Sequence, residues 1–155
     1  MHADIYYVMA KQVGIKRVSI YANPHIYKVL RRDYNYKEAL ILAKRYHIYT
    51  GRNPQRWKKW EEEVEGAVKI YIEGPDMNSQ KAYAIIRNIE SQFREKINTY
   101  VLGQVKAGRA ARTAVLEFLE LYDILEEEIK LDSAYKDWRR FLATNKERSR
   151  IPLWI

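Results

Sequence analysis

The sequence predicts an all-α fold: a four-helix-bundle-like C-terminal region behind an N-terminal basic helix–turn–helix arm. Three observations predict it. Asn23-Pro24 and Asn53-Pro54 each pair a capping residue with a proline suited to the first helical position. Beyond residue 53, apolar side chains recur at steps of three and four. The breaks between these stretches are short, which favours up-down packing of neighbouring helices.

Element by element, a short helix is expected at Asp4–Val13, closed by Gly14. IKRVSIYA then alternates and reads as an extended segment. Pro24 opens a helix to about Arg32, and Asn35 opens a second from Tyr36 to about Tyr49, closed by Thr50-Gly51. The tight connection between them makes the helix–turn–helix. From Pro54 a long helix is expected to Ile72, with Trp57, Trp60, Val64, Ala67, Val68 and Tyr71 on one face. It ends at Glu73-Gly74-Pro75-Asp76. The next helix, capped by Asp76 or Ser79, carries the stripe Ala82, Ile85, Ile86, Ile89, Phe93, Ile97, Tyr100, Val101. Gly103 and Gly108 stop or kink it. A third helix is expected from Arg109 to Lys130, with Ala111, Ala114, Val115, Phe118, Leu119, Tyr122, Leu125 and Ile129 as its apolar stripe, and a fourth is capped by Asp132-Ser133, with Tyr135, Trp138, Phe141 and Leu142 inward. The tail NKERSRIPLWI begins basic and ends apolar.

The chain has 155 residues, enough for one domain, or for an arm (residues 1–52) and a bundle (residues 53–155). It contains no Cys, which excludes a disulfide framework and a thiolate metal site. No apolar run approaches the roughly 20 residues of a membrane span, and the start MHADIYYVMAKQVG, with an acidic residue at position 4 and no basic n-region, does not read as a signal peptide. Net charge is +8, and its placement is more informative than its sum. Residues 1–60 hold 13 Lys and Arg against 3 Asp and Glu, whereas residues 61–155 hold 15 against 17. Eight of the 13 Tyr also lie in the first 60 residues. Such one-sided charge points to a polyanionic partner. The abundance of Tyr, Ile, Glu, Arg and Lys resembles heat-adapted usage.

The expected DNA-binding residues follow from helical spacing. Lys28, Arg31 and Arg32 share one face of the first short helix. Lys37, Lys44 and Arg45 share one face of the second. Lys16 and Arg17 precede them on the extended segment, and Arg52, Arg56 and Lys59 carry the charge onward. Arg forks two hydrogen bonds to phosphate, Lys supplies a point charge, and Tyr hydroxyls donate to phosphate oxygens. The second helix offers no Asn, Gln or Arg near its start to read base edges, so backbone contact without sequence readout is expected. If every excess charge of residues 1–60 met a phosphate, one chain would neutralise about ten phosphates, or about five base pairs. A solvated basic face and a tyrosine-rich core are the bland readings of the same residues.

No catalytic constellation stands out, and an enzyme is not expected. His2, His25 and His47 have no metal-ligand partners at helical spacing. KAGRAAR lacks the spacing of a phosphate loop. The runs EEEVE (61–65) and EEE (126–128) suit solvated or salt-bridged helix faces better than a metal. No cofactor is expected.

With its basic arm, its "NPHIYKVLRRDYNYKEALILAKRY" and a helical region from "NPQRWKKW" to "YKDWRRFLATN", the chain resembles the major coat proteins of filamentous and rod-shaped archaeal double-stranded DNA viruses. The resemblance is architectural and spans nearly the whole chain. It implies a capsid protein of the virion, assembled in the host cytoplasm. The arm would wrap double-stranded DNA, held in A-form, without sequence specificity. Pairing with a paralogous coat protein or with itself would build a helical filament, in some members under a surrounding membrane. It also implies that Tyr and Trp pack between arms and that IPLWI docks on a neighbouring subunit. Two alternatives stay open: a small dimeric DNA-binding regulator or chromatin-like protein from a thermophile, and a helical adaptor whose basic arm binds an acidic protein.

Overall fold

Val18, Ile20 and Ala22 alternate with Arg17, Ser19 and Tyr21, and this period of two is realised as strand β1 (Ile15–Ala22). The computed structural model describes residues 14–47, 58 and 61–149. The helix expected at Asp4–Val13 and the tail IPLWI lie outside the described residues. After β1, helix α1 (Pro24–Asp33) starts with Pro24 in its first turn, although the Asn23 side chain makes no capping bond. Its His25, Ile26, Val29 and Leu30 are buried. It closes where Asn35 takes a left-handed conformation (φ 53°) and the Tyr36 N–H donates to the Leu30 carbonyl at 3.2 Å. Asn tolerates that conformation better than most residues. Asn35 therefore ends α1 and does not open a second helix.

The all-α expectation is overturned: the fold is mixed, with four helices and a three-stranded sheet among the described residues. Two of the expected helices are affected. Tyr36–His47 holds no helix, and at its centre Leu40–Ile41 forms the short strand β2. Further on, residues 62–67 are turns and irregular chain, and Val68–Pro75 is strand β3 rather than the end of a helix from Pro54. The sheet order is β1-β3-β2. β1 and β3 run antiparallel, with Ile20 opposite Ile70 and Val18 opposite Ile72. β2 runs parallel to β3, with Leu40 opposite Ile72. The helix–turn–helix fails because β3 offers a ladder that the apolar run ALILA can join. The periodicity of VKIYIE fits a strand as well as a helix, and its β-branched residues decide for the strand.

The chain divides between Ile89 and Glu90 into two compact units. The sheet belongs to the first. Ile20, Ile70 and Ile72 have no exposed surface, and burying each such side chain contributes about 1.5–3 kcal/mol. Gly74 lets the end of β2 approach, since a Cβ there would stand 3.1 Å from the Leu42 Cβ. Helix α2 (Ser79–Lys106) follows. Its cap is Asn78, whose Oδ1 accepts the Lys81 N–H at 2.8 Å, rather than Asp76 or Ser79. Through Ile89 its stripe of Ala82, Ile85 and Ile86 is buried, as the spacing predicts.

The second unit is helical. The remainder of α2 supplies Phe93, Ile97 and Val101. Gly103 is accommodated within it, and Gly108 ends it at φ 89°. Helix α3 (Ala111–Leu121) is shorter than expected: the chain turns at Asp123 (φ 56°). Ile124 and Ile129 are still buried, but Leu125, expected on the same stripe, is exposed. Helix α4 (Leu131–Ser149) buries Trp138 beside Phe141. Phe93 meets Phe118 and Tyr122 at ring-centroid distances of 5.8 and 5.0 Å. Arg94 bonds Asp137 of α4 at 2.6 Å.

Candidate nucleic-acid interface

β2 pairs with β3 only at Ile72 and Glu73, so among the described residues the first half of β3 has no strand on that side. Tyr36 takes the place of one. The Tyr71 N–H donates to the Tyr36 hydroxyl oxygen at 3.0 Å, and the Tyr36 ring is buried. Tyr27 of α1 meets Tyr36 edge-on, with centroids 5.7 Å apart and planes at 81°. These three tyrosines, with Arg17, Lys37, Glu38 and Lys69, line an open groove of about 480 Å³.

The sheet register explains which cations reach it. On β1 and β3 the residues Arg17, Ser19, Tyr21 and Lys69, Tyr71, Glu73 face outward together. Arg17 sits 3.6 Å from Glu73. Lys69 places its ammonium 5.4 Å from the Tyr71 ring centroid. Lys37, in the loop after α1, is exposed and forms no ion pair among the described residues. Arg31 lies 5.6 Å from the Tyr27 ring centroid, beside the groove. The groove lining carries three cations against Glu38.

The other expected binding residues are distributed differently. Lys16 follows the opposite parity to Arg17, and both are exposed. Lys28, Arg31 and Arg32 remain at helical spacing on α1, with both arginines exposed. Lys44 and Arg45 do not share a helix face with Lys37, because no helix forms there. Arg45 is ion-paired with Asp76. Arg52, Arg56 and Lys59 lie outside the described residues. Lys69 and Tyr71 were missed because they sat inside an expected helix. The alternation in VKIYIE was the signal that places them on one face.

The second unit has an open depression of about 660 Å³, floored by Tyr100, Phe118 and Tyr122. Glu95 and Lys96 give its rim both signs, so it offers no net attraction to a polyanion. Nearby, the Arg109 side-chain hydrogen bond holds the Glu117 carboxyl below the usual glutamate range, and the Tyr100 hydroxyl assists. Glu117 in turn raises the Arg109 guanidinium. Among the described residues, no group of three or more His, Asp or Glu side chains is placed to hold a metal ion. No helix there is long and apolar enough to cross a membrane. Comparison with protein-family models, with curated proteins and with solved structures finds no match to this chain.

Proposed function

We propose that this chain is a nucleic-acid-binding protein with no catalytic role, which holds the phosphate backbone without reading sequence. The observation that carries the reading is the groove in which Arg17, Lys37 and Lys69 converge on three tyrosines. Cations attract phosphates at long range, and aromatic rings give sugars or bases a surface to rest on. The excess of basic residues in positions 1–60 supports the same reading, since the groove draws most of its lining from that segment.

Coating of double-stranded DNA in a viral filament, by this chain alone or with a paralogous partner, is the assembly-level form of the proposal. Its support is now the charge asymmetry alone. The helix–turn–helix that carried the resemblance to archaeal coat proteins is replaced by β2 and its flanking loops. A soluble regulator or chromatin-like protein uses the same surface at lower density.

The test is salt dependence. Replacing Lys37 and Lys69 with Gln removes two groove cations and no buried group. The slope of log affinity against log salt should flatten by about 0.9 for each lost contact to duplex DNA. Circular dichroism should be unchanged. An unaltered slope would remove the groove from the interface.

A further inference from the structure

We infer that the groove takes an unpaired base of a single-stranded nucleic acid, stacked on the Tyr71 ring, with the flanking phosphates on Lys37 and Lys69. The inference rests on the reading above and narrows its substrate. A duplex presents phosphates and sugars to a shallow surface and keeps its bases stacked inside, so it makes little use of ring faces. An unpaired base has a free face, and stacking on Tyr is tolerant of base identity.

Three features of the groove suit such a base. The first is accessibility: the Tyr71 ring is half-buried, and the Lys69 ammonium stands 5.4 Å from its centroid. A lysine on a flexible stem leaves the ring readily and remains close enough to meet the incoming phosphate. The second is preorganisation. The Tyr71 backbone is held by β3 and by the Tyr36 hydroxyl, and Tyr36 is fixed edge-on against Tyr27. Little ordering remains to oppose binding. The third is size and sign. A groove of about 480 Å³ admits a base and its sugar, and its cations outnumber Glu38. A cation over an exposed ring is the weaker contact, so a base that displaces Lys69 gains a stack and a phosphate contact together.

The experiment uses the full chain and three labelled probes, each about fifteen nucleotides long, within the usual range of single-strand sites. They are an oligo-thymidine strand, a fully abasic strand of equal length, and a duplex. Affinities are read by fluorescence anisotropy at moderate salt. The thymidine strand should bind about tenfold or more tighter than the abasic strand. Tyr71→Leu should bring that ratio close to one, and Tyr71→Phe should restore it. Equal binding of the thymidine and abasic strands by the unaltered chain would overturn the stacking site and leave the backbone reading standing. Failure of all three probes to bind would overturn both.

Discussion

Lys69 illustrates how a surface side chain holds two potential partners. A cation over an exposed ring is worth about 0.5–1 kcal/mol, whereas a base stacked on an aromatic is worth about 1–3 kcal/mol. The present contact with Tyr71 is thus easily exchanged. Arg45 is similar. Its ion pair with Asp76 joins two partly exposed groups, and such pairs contribute about 0–1 kcal/mol. A phosphate can compete for it. Glu117 lends itself to a test at this scale. Its carboxyl is lowered in the folded chain, so its contribution to stability is fully present above the ordinary glutamate value and is lost as pH falls through the lowered one. Glu117→Gln should lower the urea midpoint slightly at neutral pH and leave it unchanged in strong acid. Equal loss at both would mean that the pair with Arg109 is not what stabilises the folded chain. The effect should be small, because both groups face solvent.

At the scale of elements, the deciding feature is that β2 is two residues long. A longer strand would have paired with Tyr71 and occupied the place of Tyr36. The sequence made β1 and α1 legible: alternation in IKRVSIYA and the Asn23-Pro24 signal are local, and both elements stand where these signals put them. β2 and β3 were not legible in the same way. ALILA and VKIYIE suit either period, and the choice depends on a partner strand elsewhere in the chain. The end of α3 shows the same limit. The apolar spacing through Leu125 and Ile129 reads as one helix, yet the chain turns at Asp123 and buries only one of the two. Ile129→Ala should therefore cost about 2–5 kcal/mol. Leu125→Ala should stay within about 0.5 kcal/mol. Chemical denaturation of both variants checks this, and equal losses would restore the continuous helix.

At the scale of the molecule, the basic excess in positions 1–60 gives that segment a positive field, which attracts polyanions at long range. The measurement that belongs here is a titration of long linear duplex DNA, imaged by electron microscopy at saturation. A coat protein should yield uniform stiff filaments with a fixed number of base pairs per chain, about five if every excess charge meets a phosphate. Scattered particles would favour the regulator. A titration with single-stranded DNA in parallel places the stacking groove within the same comparison.

By itself, the sequence determined the charge asymmetry, the absence of thiol chemistry, and the long helix with its buried stripe. These depend on composition and on periodicity within one element. Only the tertiary structure decided that the fold is mixed, and that Lys69 and Tyr71 join Arg17, Lys37, Tyr27 and Tyr36 at one groove. Strand pairing is non-local: the residues that complete the ladder lie dozens of positions away. A helical face can be counted along the chain, but a sheet face exists only once its strands have met.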